Sequence, residues 1–200
     1  MDILNQPDRM IEEIKINSYK RDRTVFLFGE IDDDNTFKTI YFFERIVDLD
    51  EKENIPINQR KPITLKIDCP GGTCTNGLAI ISTMQSLIEK GYTIETRLYG
   101  MACSMAFVIA CVGSKGHRYV HKHSQLMIHQ LIGGKFGWEK LQDSIEDTEW
   151  SKKINERIVN IVMENTNITK EQLDDILVRK FDWWMWPEKA IELSVVDKII

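Results

Sequence analysis

The stretch Ile63-Thr-Leu-Lys-Ile-Asp-Cys-Pro-Gly-Gly72 decides the fold class of this chain of 200 residues. Apolar and polar residues alternate over its first six positions, which is typical of a β-strand, and Pro-Gly-Gly then predicts a sharp turn. Leu78, Ile81 and Met84 recur at helical spacing after the turn, and this helix should close near Gly91. The stretch therefore predicts a strand, a tight turn and a helix in succession, which is a building unit of α/β domains.

Strand and helix patterns alternate along the rest of the chain. A β-branched and aromatic run at 24–29 predicts a strand, and Asp34 or Asn35 can cap the helix that follows. Thr169 and Gln172 match a capping box at the start of a later helix. Three more strands are predicted, at 92–99, Arg118–Val120 and Gln125–Ile128, and Gly100 should be the turn that ends the first of them. Three more helices are predicted, at 105–112, from after Gly134 to about Asn165, and at 188–193. This alternation predicts one α/β domain with a largely parallel sheet.

The overall composition argues against several classes of protein. The 31 acidic and 26 basic residues give a net charge of −5, whereas a nucleic-acid binder needs a basic surface. No apolar run is long enough to cross a bilayer, and the first residues lack the basic start and apolar core of a signal peptide. We therefore expect a cytoplasmic protein with neither a membrane nor a nucleic-acid partner.

Four cysteines (Cys69, Cys74, Cys103 and Cys111) lie in the middle of the sequence, and none forms a Cys-x-x-Cys pair. No paired histidines follow at the spacing of a zinc finger. Cys103 and Cys111 lie in apolar, small-residue sequence, where a free thiol packs as a small hydrophobe. We expect reduced, structural cysteines and neither a metal ion nor a cofactor.

Ser104 and His129 are the first candidates for chemistry. The serine lies in the small-residue run Gly100-Met-Ala-Cys-Ser-Met-Ala106, and the histidine ends the apolar run Leu126-Met-Ile-His129. A serine hydroxyl becomes a good nucleophile when a neighbouring base takes its proton, so the two residues form a testable pair. Taken alone, each residue is more often structural than catalytic.

A carboxylate is needed to orient such a histidine, and Asp182 is the best candidate. It lies among aromatic residues in Lys180-Phe-Asp-Trp-Trp-Met-Trp-Pro187, and a carboxylate in apolar sequence needs a partner to offset its desolvation. Most other aspartates have the surroundings of solvated surface residues. Asp182 therefore completes a candidate set with Ser104 and His129.

Three glycine turns are predicted at strand ends, at Gly71-Gly72, Gly100 and Gly133-Gly134. Sites in parallel α/β sheets gather at the carboxyl ends of strands. Backbone N–H groups just past Gly100 can serve as oxyanion donors, and Gly72 allows its backbone to approach a substrate carbonyl closely. The simpler interpretation is that a double glycine only lets the chain turn tightly.

Six short blocks follow one another in a fixed order. They are Pro70-Gly71-Gly72, Gly100 to Met105, Met127 to Gln130, Asp182 to Met185, Glu188 to Ala190, and Val196-Asp197. In this order the blocks resemble the family of Clp protease proteolytic subunits, from about residue 24 to the C-terminus. Such an arrangement is far more specific than a lone Gly-x-Ser-x-Gly, which this chain lacks.

The resemblance implies a crotonase-like α/β fold of repeated β-β-α units. Residues 1–20 would be an N-terminal segment that is either flexible or axial, and 21–200 would be a single serine peptidase domain. Its head would comprise about 21–130 and 181–200, and a protruding α/β handle would comprise about 131–180. Two heptameric rings would meet through the handles and form a tetradecamer.

The resemblance also implies an activity, namely a serine endopeptidase that hydrolyses unfolded or short peptides inside a ring chamber. Ser104, His129 and Asp182 would be the catalytic triad, and the backbone N–H groups of Gly72 and Met105 would form the oxyanion hole. Substrate would bind as an added strand. The residues implied for substrate binding are Gly71, Gly72, Thr73, Gln130, Leu131, Ile132 and Gly133.

The family also implies an AAA+ unfoldase as partner, but the chain departs from the family at the docking surface. Thr64 and Lys66 stand where family members usually carry tyrosines, and a lysine does not supply the rigid apolar wall of an anchor pocket. Lys180-Phe181 replaces an acid–arginine pair that bridges two rings. Leu131 replaces a proline. These departures indicate a divergent member, for which a phage or another mobile element is one interpretation of the origin.

Three other functions stay open at this point. One is a stand-alone or phage maturation peptidase of the same fold, which Thr64 and Lys66 favour mildly. A second is a regulatory subunit of a host ring, against which the presence of all three triad residues argues. The third is acyl-CoA chemistry on a crotonase fold, which does not need a Ser-His-Asp set.

Overall fold

The computed structural model of the chain describes residues 22–130 and 141–200, with the side chains of 141–148 and of Leu177 outside the description. The strands are β1 (Thr24–Phe28), β2 (Ile63–Cys69), β3 (Ile94–Cys103), β4 (Arg118–Val120), β5 (Gln125–Ile128), β6 (Trp183–Met185) and β7 (Lys198–Ile199). The α-helices are α1 (Asp33–Lys52), α2 (Cys74–Glu89), α3 (Met105–Cys111), α4 (Leu141–Asn165), α5 (Lys170–Arg179) and α6 (Pro187–Glu192), and a 3-10 helix spans Ile57–Gln59. The predicted N-terminal segment 1–20 and the Gly133-Gly134 turn lie outside the described residues.

The strands form one sheet in the order β1-β2-β3-β4-β7, with all neighbouring pairs parallel. The last residues of β3, which follow those that pair with β4, pair in parallel with β5. The far edge of β5 pairs with β6, which runs antiparallel to it. The predicted α/β class with a largely parallel sheet is confirmed.

The core lies between this sheet and the helices packed on it. Alternate residues of β2 are buried, as the alternating sequence predicts, and every residue of α3 is buried. The largest fully buried side chains include Phe43, Phe107, Leu27, Ile46, Ile63 and Met84. Within the described ranges, no helix has an apolar stretch long enough to cross a membrane.

The predicted end of β3 is wrong, because the strand does not stop at Gly100. It runs on to Cys103, and its register against β2 shifts in the stretch around Gly100. Asp68 Oδ1 accepts a hydrogen bond from the Met101 N–H at 3.0 Å. On the other side, the buried Ser124 hydroxyl donates to the Leu98 carbonyl at 3.1 Å. These two side chains hold a bulge, so the glycine marks an irregularity within the strand and not its end.

Two further details of the local structure bear on the sequence predictions. The cap of α1 is Asp32, whose carboxylate accepts from the Asn35 N–H at 2.8 Å, so the prediction of Asp34 or Asn35 is wrong by a few residues. The capping box of Thr169 and Gln172 is confirmed at the start of α5. The short strand β6 was not predicted.

Candidate active site

Three strand ends meet at one edge of the sheet, and each carries one residue of the predicted triad. Ser104 follows the last residue of β3, and His129 follows the last residue of β5, which is parallel to β3. Asp182 comes directly before β6, which runs antiparallel to β5 with Ile128 opposite Trp183. Because β6 runs in the opposite direction, its start lies beside the end of β5. The topology therefore brings Ser104, His129 and Asp182 to the same edge.

Ser104 lies at a sharp turn from strand to helix. Its φ of 55° and ψ of −122° fall in a region that non-glycine residues rarely adopt. Its N–H donates to the Met127 carbonyl at 2.8 Å, which ties the turn to β5. The side chain is partly exposed, while Cys103 and Met105 on either side are buried. Strain of this kind is maintained by its surroundings and clusters at functional sites.

The Gly71-Gly72 turn packs directly against Ser104. A Cβ atom added to Gly71 would lie 2.7 Å from Cβ of Ser104 and 2.8 Å from the Cys103 carbonyl oxygen. The φ of Gly71 is +106°, which also favours glycine. The glycine turn at the end of β2 and the serine turn at the end of β3 are thus neighbours.

Backbone hydrogen bonds to Ile31 hold the Gly71-Gly72 turn in place. The Ile31 N–H donates to the Gly71 carbonyl at 2.7 Å, and the Thr73 N–H donates to the Ile31 carbonyl at 2.9 Å. A side chain on Gly72 would collide with the Ile31 backbone. Among the described residues, the N–H groups of Gly72 and Met105 donate to no backbone carbonyl.

His129 is partly buried and Asp182 is exposed. Burial raises the pKa of the Cys103 thiol, and the negative charge of Asp182 raises it further. The Asp182 charge therefore acts on the residue next to Ser104. The hydrogen bonds found between described residues do not include one that joins the side chains of Ser104, His129 and Asp182. In the single chain the three residues share an edge without being linked side chain to side chain.

The residues predicted to bind substrate divide into two groups. Gly71, Gly72 and Thr73 form the glycine turn, and Thr73 is exposed at its end. Gln130 follows His129 and is partly exposed. Leu131, Ile132 and Gly133 lie outside the described residues.

The four cysteines are free thiols, in line with the expectation that they are reduced. Burial raises the pKa of Cys69 to about 11 and that of Cys111 to about 12. Such thiols are almost fully protonated at neutral pH and are therefore poor nucleophiles. Within the described part of the chain, no cluster of three or more His, Cys, Asp or Glu side chains could hold a metal ion.

Sequence reasoning missed two residues that shape this edge, namely Asp68 and Ser124. Both hold the bulge in β3 whose downstream end carries Ser104. The signal for Asp68 was its position as the last polar residue of an alternating strand, directly before Cys-Pro-Gly-Gly. Ser124 has no comparable signal, because a serine before a short strand is common.

Comparison with known proteins decides the family to which the chain belongs. The family model described as Clp protease matches residues 10–200. The chain belongs to the Clp protease family. It is 31% identical over 180 residues to the ATP-dependent Clp protease proteolytic subunit of Streptococcus pyogenes serotype M5 (strain Manfredo), covering 90% of this chain and 85% of that protein. The same figures hold for the proteolytic subunit of Streptococcus equi subsp. equi (strain 4047). At this identity the family relation is clear and distant.

Proposed function

We propose that this member of the Clp protease family is a serine endopeptidase with Ser104 as nucleophile, His129 as general base and Asp182 as the carboxylate that orients the histidine. The main support is the convergence of three strand ends, with a strained Ser104 packed against the Gly71 turn. A nucleophile, a base and an orienting acid at one edge are the parts that acyl transfer to serine requires.

In the proposed mechanism His129 takes the hydroxyl proton of Ser104 as the oxygen attacks the peptide carbonyl. The protonated imidazole then gives this proton to the leaving amine, and an acyl-enzyme remains. Water, deprotonated by His129, attacks the ester and releases the second product while Ser104 regains its proton. Asp182 stabilises the imidazolium and keeps the imidazole in the correct tautomer.

The N–H groups of Gly72 and Met105 would stabilise the oxyanion of each tetrahedral intermediate. Neither group donates to a backbone carbonyl among the described residues, so both can turn to a ligand. Loss of one such donor costs about 3–4 kcal/mol of transition-state stabilisation in serine peptidases. The short distance between Gly71 and Ser104 supports the pairing of nucleophile and donors.

The substrate would be an extended peptide that adds a strand beside the glycine turn. Gly71, Gly72 and Thr73 on one side, and the segment from Gln130 through Leu131, Ile132 and Gly133 on the other, are the proposed main-chain partners. Main-chain hydrogen bonds give affinity with little choice of sequence. This mode suits an enzyme that cleaves unfolded or short peptides.

We further propose that the chain works as a tetradecamer of two heptameric rings, which are formed by the heads (about 21–130 and 181–200) and meet through the handles (about 131–180). Trp184 and Trp186 support self-association, because their side chains are 52% and 56% exposed. Aromatic residues are enriched at protein–protein interfaces relative to the rest of the surface, and contiguous exposed apolar patches mark interaction sites. Ring contacts next to Asp182 would also complete the alignment of the triad. The proposed compartment is the cytoplasm.

An AAA+ unfoldase is the proposed source of unfolded substrate, but the outer face of the sheet favours a second candidate. Lys66 Nζ lies 5.6 Å from the ring centroid of Phe26 and 5.5 Å from that of Tyr99. The Thr64 hydroxyl donates to Glu95 Oε1 at 3.2 Å. An apolar docking loop would have to desolvate the Lys66 ammonium, which is unfavourable. This observation supports a stand-alone or phage maturation peptidase as the alternative. A regulatory subunit of a host ring is the third candidate, and the presence of Ser104, His129 and Asp182 argues against it.

A fluorophosphonate probe and a fluorogenic peptide test the peptidase activity. The wild-type chain should be labelled at Ser104 and should cleave the peptide, and Ser104→Ala should do neither. Ser82→Ala is a matched control, because the Ser82 hydroxyl is exposed on α2 and donates to the Leu78 carbonyl. Absence of labelling and cleavage in ring fractions of the wild-type chain would sink the proposal.

A folded, tagged substrate with the host unfoldase and ATP tests the partner. Degradation would support the unfoldase-fed chamber, whereas peptide cleavage without degradation would support the stand-alone peptidase. Lys66→Tyr restores the residue type usual in the family and should increase degradation if docking is the limit. Lys38→Tyr, at an exposed position on α1, controls for the loss of a positive charge.

A further inference from the structure

The bulge in β3 separates the strand into two parts with different partners. Leu98 pairs with Ile67 before the bulge, and Ala102 pairs with Cys69 after it, so β3 advances four residues while β2 advances two. Before the bulge β3 also pairs with β4, and after it with β5. The bulge therefore determines how the last residues of β3 approach β5.

Asp68 lies opposite this bulge on β2. Its Oδ1 accepts the Met101 N–H at 3.0 Å, and Met101 is the first residue of β3 that pairs with β5. A Cβ atom at Gly100 would lie 2.9 Å from Cγ and 3.0 Å from Oδ2 of the same carboxylate. Gly100 does not have a positive φ, so its backbone conformation does not require glycine. The absence of a side chain instead leaves room for the Asp68 carboxylate.

The segment that Asp68 anchors ends at the proposed nucleophile. Met101 to Cys103 pair with Gln125 to Met127, and Ser104 follows at once with its N–H bonded to the Met127 carbonyl. Because side chains alternate between the two faces of a strand, a slip of one residue at the bulge would turn the end of β3 over. An anchored bulge excludes that slip and re-aims a side chain.

We propose that Asp68 is a positioning residue for Ser104. Its hydrogen bond to the Met101 N–H fixes the bulge and so directs the end of β3 toward the Gly71-Gly72 turn. Asp68 acts through the backbone and does not touch the substrate. The inference rests on the proposed role of Ser104 as nucleophile.

The test uses the full chain and compares four variants: Asp68→Asn, Asp68→Ala, Gly100→Ala and the double variant Asp68→Ala/Gly100→Ala. At position 68, asparagine keeps an oxygen that can accept the Met101 N–H, whereas alanine removes it. In Gly100→Ala, the added methyl group displaces the Asp68 carboxylate without removing it. The measurements are the rate of fluorophosphonate labelling at Ser104, kcat and KM for the peptide, and the thermal midpoint. Asp34→Ala is the control, because Asp34 is an exposed carboxylate paired with Lys38.

Asp68→Ala and Gly100→Ala should each lower the labelling rate and kcat by about tenfold to a hundredfold, which is typical of a displaced reacting group, with KM unchanged. Asp68→Asn should retain most of both rates. The double variant should lose no more than the single ones, since both remove the same hydrogen bond.

The failure of this inference and the failure of the proposed function are distinguishable. Wild-type labelling at Ser104 with equal labelling of Asp68→Ala and Gly100→Ala overturns only the role of Asp68. An equal loss in Asp68→Asn and Asp68→Ala also overturns it, because the acceptor oxygen would then not be the cause. If Asp68→Ala does not fold, the labelling rates of Gly100→Ala and Asp68→Asn are compared instead. A lower rate in Gly100→Ala than in Asp68→Asn supports the role of Asp68, and equal rates overturn it.

Discussion

Gly71 and Ser104 are in such close contact that a Cβ atom on the glycine would lie 2.7 Å from Cβ of the serine. The two residues come from different strand ends, so this contact fixes the spacing between the turn after β2 and the turn after β3. A larger side chain at position 71 would therefore displace Ser104.

Gly71→Ala should abolish most of the peptidase activity. The new methyl group must displace Ser104 or the Cys103 carbonyl, and misplacement of a reacting group by about 1 Å costs about a hundredfold in rate. The measurement is peptide cleavage beside fluorophosphonate labelling.

Gly116→Ala is the matched control for that experiment. Gly116 also has a positive φ, of +85°, but a Cβ atom there meets no atom of the described residues within 4 Å. Both variants place alanine in a strained backbone region at a cost of about 1–3 kcal/mol of stability. Equal activity in the two variants would contradict the contact as the cause.

Asp182→Asn should lower kcat while leaving the fold intact. If Asp182 orients His129 as proposed, an amide in its place favours the wrong tautomer of the histidine, at a cost of about 10⁴-fold in a serine peptidase. Asp182 is exposed, so the substitution buries no new polar group. Asp175→Asn, at an aspartate paired with Arg179 on α5, serves as control. Cleavage by Asp182→Asn at the wild-type rate would show that another group orients His129.

Thiol alkylation should discriminate among the cysteines. Burial raises the pKa of Cys69 to about 11 and that of Cys111 to about 12, so few thiolates exist at pH 8 and iodoacetamide should modify neither residue in the folded chain. Cys74 is only partly buried and should react first. Mass spectrometry before and after unfolding in urea measures this order. Fast modification of Cys111 in the native protein would contradict its burial.

The ion pair of Arg118 and Asp197 should stabilise the fold in a pH-dependent way. Nη2 of Arg118 lies 2.6 Å from Oδ1 of Asp197, and the arginine side chain is buried. Burial raises the pKa of Asp197, but hydrogen bonds from Arg118 and Gly116 outweigh it and hold this pKa below its usual value. The stabilisation is therefore complete above the unfolded pKa of about 3.9 and is lost as the pH falls through the lower folded pKa.

Urea unfolding measures this contribution. Arg118→Met should cost about 3–5 kcal/mol at neutral pH, because it leaves a carboxylate without its partner. Arg179→Ala removes an exposed pair with Asp175 and should cost about 0–1 kcal/mol. Asp197→Asn should flatten the loss of stability on acidification, and an unchanged acid profile would argue against the role of this carboxylate.

The local elements could be predicted where the sequence pattern alone sets them. Ile63–Cys69 forms a strand because its residues alternate, and Thr169 caps α5 because Gln172 completes the capping box. The strand bounds Arg118–Val120 and Gln125–Ile128 also agree with the prediction. In each case the nearest neighbours in sequence carry the information.

The features that depend on distant residues were not predictable. Gly100 indicates a strand end by itself, but Asp68 and Ser124 hold the strand together there. Trp183–Met185 forms a strand because it pairs with the edge of β5, and that pairing depends on residues far away in the sequence. The candidate site follows the same division. The sequence identified Ser104, His129 and Asp182, the topology explains why they share an edge, and their catalytic roles remain predictions.

The antiparallel strand β6 has a consequence for the order of folding. The 21 residues 104–124 separate β3 from β5, whereas the 54 residues 129–182 separate β5 from β6. Closing the longer loop costs more conformational entropy, so we expect β6 to dock after β3 and β5 have paired. Pulse-labelled hydrogen exchange during refolding would detect late protection of β6. Under the proposed function, Asp182 would then reach His129 last, and the chain would acquire peptidase activity only when β6 has docked.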